Sequence, residues 1–156
     1  MRAKSGFTLV EILIVVVILG ILAAIVIPQF TNASTEAKQS SLQSDLQMLR
    51  SQIELYKIQH NDFLPPGTSS AAFAAAMLGY TLADGTASTQ GAVGAFGPYM
   101  RKIPTNQFVT TNADVVTPST TTPTTGDGTS GWVYNSVTGE IRANSLSTTW
   151  PDHINY

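Results

Sequence analysis

Apolar positions are distributed unevenly along this chain, and their spacing changes from one stretch to the next. From Ile12 to Ile27 no side chain is polar, and from Phe7 onward the interruptions are Thr8 and Glu11. A helix over Phe7–Ile27 is about 32 Å long at 1.5 Å per residue, close to the roughly 30 Å hydrocarbon thickness of a bilayer. Each Leu, Ile and Val favours insertion by roughly 0.3–0.6 kcal/mol, while one carboxylate at mid-bilayer costs roughly 2.5–3.5 kcal/mol. Insertion wins, with Glu11 tolerated near one end, so residues 7–28 are expected to form a transmembrane helix. Gly20 stabilises helix poorly, and Pro28 removes a backbone donor while crowding the preceding turn. A helix break or kink is expected at Gly20 and Pro28.

Beyond Pro28 the composition turns polar but the helical period persists. Leu42, Leu46, Leu49, Ile53 and Tyr56 are spaced four, three, four and three apart, which makes one apolar stripe. The spacing predicts an amphipathic stalk helix over 29–62 that ends near Asn61–Asp62, because Pro65-Pro66-Gly67 cannot continue it. Met48, Leu55 and Ile58 lie off the stripe and are expected to widen the buried face, with a head on one side and helical neighbours on another. About two heptads are too few for a free coiled coil.

Residues 63–156 read as a small α+β globular head. Thr68–Leu78 is an alanine-rich helix, with Thr68–Ser70 as caps and Gly79 as a stop. Asp84-Gly85 marks a turn, followed by a glycine-rich loop to Gly97. Residues 117–131 are rich in Thr, Ser, Pro and Gly and read as an exposed loop. Trp132-Val133-Tyr134 and Glu140-Ile141-Arg142-Ala143, joined by a turn near Thr138-Gly139, predict a hairpin with alternating faces. Trp150-Pro151 and Tyr156 are expected to fold back on that sheet. The fold class is therefore α+β: a long hydrophobic-then-amphipathic N-terminal helix packed on a small antiparallel β-sheet.

Composition narrows the function. Of 156 residues, 43% are hydrophobic and 12% charged, and the formal net charge is -2. No basic stripe exists, so nucleic-acid binding is not indicated. The chain has no cysteine, which excludes disulfides, thiolate chemistry and cysteine zinc sites. His60 and His153 are the only histidines. Neither lies in a nucleophile motif, a metal-ligand spacing or a phosphate loop, so an enzyme is not expected.

Met1–Gly6 places Arg2 and Lys4 just before the apolar run, a flank that keeps the N-terminus cytoplasmic. Three readings fit such a segment: a secretory signal cut near Ala23–Ala24, an uncleaved anchor, or an anchor processed ahead of the apolar run. The length of the run and the carboxylate of Glu11 weigh against the first. Glu11 itself either snorkels at the interface near the positive end of the helix or meets a partner charge.

Gly6-Phe7-Thr8-Leu9-Val10-Glu11 resembles the N-terminal signal of type IV pilins and type II secretion pseudopilins. There a small residue precedes an aromatic, and a glutamate lies fifth in the mature chain. The resemblance implies a leader over 1–6, cleavage between Gly6 and Phe7 by a prepilin peptidase, and N-methylation of Phe7. Loss of Arg2 and Lys4 takes the formal side-chain charge from -2 to -4. It further implies a pilin-like fold and a single-pass inner-membrane subunit with a periplasmic head. From there an assembly platform extracts it into a fibre of identical and related subunits, with Glu11 meeting the Phe7 ammonium of a neighbour.

Tyr56-Lys57-Ile58-Gln59-His60-Asn61-Asp62-Phe63-Leu64-Pro65 is similar to the helix exit of major type II pseudopilins, although Tyr56 and Phe63 also read simply as core aromatics. Gly97-Pro98-Tyr99-Met100-Arg101-Lys102-Ile103-Pro104 resembles the segment leading into their sheet. Thr105-Asn106-Gln107-Phe108 departs from the Asp-Pro-Trp-Gly common there. The resemblance thus implies a structural subunit of a type II secretion pseudopilus, with a type IV pilus subunit for adhesion, motility or DNA uptake as the alternative. Calcium is known in the major pseudopilins. Asp114, Asp127 and Asp152 are possible oxygen donors here, but calcium wants about six to eight oxygens and no dense acidic loop is visible, so no cofactor is expected.

Overall fold

A computed structural model describes residues 6–156. The expected leader therefore lies outside the described residues except for Gly6. The chain divides into two compact units, Met1–Ser40 and Ser41–Tyr156. The division falls neither at Pro28 nor at Asp62, because the stripe from Leu42 to Tyr56 belongs to the core of the second unit.

The first helix, α1, spans Leu9–Gln59 and runs through Gly20 and Pro28 without interruption. The break expected at Gly20 and Pro28 is absent from this isolated chain. The physical reason is local: proline forfeits one hydrogen bond, the one to the Ala24 carbonyl, and the intact turns on either side hold the path. At its C-terminus α1 stops two residues before Asn61. Asn61 and Asp62 adopt left-handed backbone (φ 52° and 67°), and the Asp62 N–H returns 3.0 Å to the Lys57 carbonyl. This six-to-one bond closes the helix in the manner usually left to glycine, and asparagine tolerates that conformation best among the other residues.

Leu42, Leu46, Leu49, Ile53 and Tyr56 are the buried residues of α1, as their spacing predicts. Met48, Leu55 and Ile58 do not widen that face; they are exposed, and Phe63 is exposed as well. The stripe packs on Phe73, Met77, Tyr99, Trp132, Tyr134 and Ile141 in one core.

Helix α2 (Ser70–Leu78) begins at the cap Ser69, whose hydroxyl accepts the Ala72 N–H at 3.0 Å. Strands β1 (Tyr80–Thr81) and β2 (Ala87–Ser88) pair antiparallel around the Asp84-Gly85 turn. Asp84 there accepts from the backbone and hydroxyl of Thr86 at 2.9 and 2.7 Å. The peptide between Gly97 and Pro98 is cis. Gly97 has φ 94° and faces the Gly79 carbonyl so closely that a Cβ would collide with it, a position only glycine fills without displacing backbone.

The main sheet has the order β3-β4-β5, with β3 Val116–Ser119, β4 Trp132–Asn135 and β5 Ile141–Ala143. The β4–β5 hairpin is antiparallel, with Tyr134 opposite Ile141, and it turns through Gly139 at φ 80°. Three expectations need correction. The sheet is mixed rather than antiparallel, because Val116–Ser119 pairs parallel with Trp132–Asn135. The Thr/Ser/Pro-rich stretch therefore opens as an edge strand, where Pro118 is tolerated, and Gly126, Ser130 and Gly131 farther along are buried. Strand β4 does not alternate either. All four of its residues are buried, because loops cover the face that a free hairpin would turn to water.

Gly131 is wedged where a Cβ would land 2.6 Å from the Ala113 carbonyl carbon and closer still to its oxygen. The obstacle is backbone and cannot rotate away. Gly131→Ala is expected to destabilise the second unit by about 1–3 kcal/mol, measurable as a lowered urea midpoint of the detergent-solubilised chain.

Candidate functional site

The segment that carries candidate chemistry is the start of α1. Thr8 stands just before the first helical residue, and its hydroxyl accepts the Glu11 backbone N–H at 3.3 Å. The Thr8 carbonyl accepts from Ile12, also at 3.3 Å. Thr8 is thus the N-cap, and Glu11 occupies the third helical position, the spacing of a capping box. This role of Thr8 is a sequence signal that the membrane reading of Glu11 overshadows. A carboxylate in the first turn is also favoured by the helix dipole.

Gly6, Phe7 and Glu11 are all exposed, within one helical turn of the chain's entry into α1. The Glu11 carboxylate has no hydrogen-bond or ion-pair partner among the described residues. Every large apolar side chain from Phe7 to Phe30 is exposed in the single chain. The helix is long and apolar enough to cross a membrane, and its most apolar 18-residue window buries none of its residues. An uncovered apolar surface of this extent needs lipid or other helices around it. What the segment offers is a spanning surface with one carboxylate near its end and the Gly6–Phe7 bond immediately before it.

The second unit holds two buried histidines, neither of which the sequence marks as buried. His60 stacks on Tyr56 with ring centroids 3.7 Å apart and planes 5° apart. Its Nδ1 lies 2.8 Å from the Tyr56 carbonyl and its Nε2 2.8 Å from the Thr81 hydroxyl. The carbonyl only accepts, so Nδ1 carries the proton and Nε2 accepts from Thr81. Tyr99 donates to Gln59 Oε1 at 2.7 Å, and burial, reinforced by the nearby Tyr56, pushes its phenol up to about 12. These contacts fasten the end of α1 to β1 and the Gly97–Met100 segment. Both ring nitrogens of His60 are thereby engaged within the chain. Among the described residues, no three His, Asp or Glu side chains gather as a metal-binding group.

The Gly6-Phe7 junction, the capped helix start and the exposed apolar run lie together in the stretch whose sequence resembles a prepilin-type signal. Comparison with known proteins agrees: the family described as "Prokaryotic N-terminal methylation motif" matches residues 1–27. The chain is similar to proteins named type II secretion system core protein G. It is 43% identical over 67 residues to that of Pseudomonas aeruginosa, covering 43% of this chain and 46% of the relative. It is 40% identical over 62 residues to that of Aeromonas hydrophila, covering 40% and 43%. With that of Vibrio cholerae it shares 39% over 61 residues, covering 39% and 42%. The chain thus spans less than half the length of these relatives. No solved structure matches.

Proposed function

We propose that this chain is a structural subunit of a type II secretion pseudopilus. In this reading it is cleaved between Gly6 and Phe7 by a prepilin peptidase, methylated on Phe7 and held in the inner membrane with its head periplasmic. It is then drawn by an assembly platform into a helical fibre of identical and related subunits, and it has no catalytic role. The observation that carries the reading is the fully uncovered apolar helix with a lone carboxylate in its first turn. Similarity to the core G proteins supports the secretion fibre over the type IV pilus.

Cleavage creates an ammonium on Phe7, one turn from Glu11. Between staggered subunits the Glu11 carboxylate of one neutralises the ammonium of the next, and a buried pair of this kind fixes register even where its net stability is small.

Mass spectrometry of the chain from processing-competent cells is expected to show an N-terminus at Phe7 carrying one added methyl. An intact Met1 in those cells would overturn the reading in favour of an anchor that never polymerises.

A further inference from the structure

His153 presents a second, unrelated feature. It opens the short 3-10 turn His153–Asn155 that packs against β5, and it is 1% exposed. Trp150 stacks on its ring at 5.1 Å and 11°, Phe108 meets it edge-on at 4.3 Å, and Tyr156 lies at 5.3 Å. Nδ1 is 3.1 Å from the Ser145 hydroxyl, whose oxygen already accepts from Asn106 Nδ2 at 3.1 Å. The Ser145 proton is thereby free to point at Nδ1. Nε2 is a buried polar atom with no hydrogen-bond partner.

The cage tolerates a neutral imidazole with one orphan nitrogen. It is poorly made for the cation, which has two N–H donors and finds an acceptor for at most one of them. The charged and titratable groups around the turn offer little relief. Asp152 is exposed and adjacent and is the carboxylate that favours the cation. Arg142 on β5 donates to the Ile154 carbonyl at 3.4 Å and is itself held by Glu140 at 2.7 Å. Arg50 on α1 donates to the Tyr156 and Ile141 carbonyls. The remaining contacts, from Phe108, Asn106, Ser145 and Trp150, are uncharged.

We propose that His153 is an acid-sensitive latch: its protonation undocks residues 150–156 from β5 and uncovers the α1 face around Leu46 and Arg50 that Tyr156 borders. A cavity of about 150 Å³ lined by Gln43, Leu46, Gln47, Arg50 and Tyr156 already marks that edge. Burial holds the docked imidazole below its ordinary 6.5, against the weaker opposite pull of Asp152. An undocked histidine titrates near its ordinary value, so between the two values the open form binds more protons. The latch is therefore fully closed above about 6.5 and loosens as pH falls toward the lower, docked value.

The test uses the full chain in detergent micelles. Hydrogen exchange, corrected for its intrinsic pH dependence, is followed over residues 150–156 while NMR follows the His153 imidazole. Between about pH 7.5 and 5, protection of 150–156 is expected to fall by about tenfold for each unit that docking lowers the imidazole. Trp132–Asn135 should stay protected, and His153→Phe should remove the pH response. Protection that does not change, an equal response in His153→Phe, or simultaneous loss at Trp132–Asn135 would each overturn the latch. Should His153→Phe fail to fold, the native chain decides: coincident midpoints for exchange and imidazole titration support the latch, and midpoints more than about one pH unit apart refute it.

Discussion

Replacing Glu11 by leucine is expected to leave the chain in the membrane and cleaved at Gly6, yet to reduce fibre yield by about 100-fold or more. Insertion survives because the change removes a carboxylate penalty and adds a leucine gain, both in favour of the bilayer. Cleavage survives because it acts on the Gly6–Phe7 bond, and the Thr8 cap bonds the backbone rather than the side chain of residue 11. Docking does not survive. In the proposed fibre the incoming Phe7 ammonium loses its partner, and an uncompensated buried charge costs about 3–5 kcal/mol, which is about two to three and a half decades in each association step. The measurement is fibre mass sheared from cells against membrane-fraction subunit, with the N-terminus verified. Normal fibre abundance from Glu11→Leu would show that the carboxylate serves only the helix end.

This experiment separates the place of Glu11 at the helix start from the role proposed for it between subunits. As the third residue of a capped helix, Glu11 contributes about 0.3–1 kcal/mol through the dipole, and an isolated chain needs nothing more. In the proposed fibre the carboxylate has a second role, as partner of the Phe7 ammonium of a neighbouring subunit, and loss of fibre without loss of the inserted, cleaved subunit is the outcome that tells the two roles apart.

How much of this was legible depended on whether the signal was local. The stripe from Leu42 to Tyr56 is a 3.6-residue period, and burial followed it residue for residue. Ser69 and the Asp84-Gly85 turn act through bonds to residues two and three positions away, so their roles also stand in the sequence. The parallel pairing of Val116 with Trp132 does not. It joins distant segments, and Thr117-Pro118-Ser119 carries no alternation because it is an edge strand with one paired side. His60 and His153 were illegible for a related reason. Each is a polar residue made burialable by partners 4, 8, 21 or 45 positions away, and nothing in their own neighbourhood announces it. At the N-terminus the Gly6-to-Glu11 motif and the apolar run were fully legible, since both are contiguous. Continuity of α1 through Pro28 was not, because the penalty of one proline is outweighed by the turns flanking it.

The largest stability effect is expected at Trp132, where local and distant signals meet. Its side chain is completely buried, it sits on the central strand between Val116 and Ala143, and its indole N–H donates to the Pro104 carbonyl at 2.8 Å. Trp132→Ala removes the ring and leaves a cavity, at about 3–5 kcal/mol. It also orphans a buried carbonyl, so the loss lies toward the upper end of that range. Small domains are stable by about 5–15 kcal/mol in all, so the variant gives up a third of that margin or more. Trp132→Phe keeps most of the ring contacts but not the donor, and is expected to cost about 1–3 kcal/mol. Denaturant unfolding of the detergent-solubilised chain distinguishes the two. A clear step from native to Phe and a larger one from Phe to Ala support a core held by both packing and the bond to Pro104. That bond ties the sheet to the segment where Thr105-Asn106-Gln107-Phe108 departs from the pseudopilin pattern. If Trp132→Phe proves as stable as the native chain, the departed segment is held by other contacts, among them the Asn106 amide on Gly131 at 2.8 Å. The sheet would then tolerate its loss.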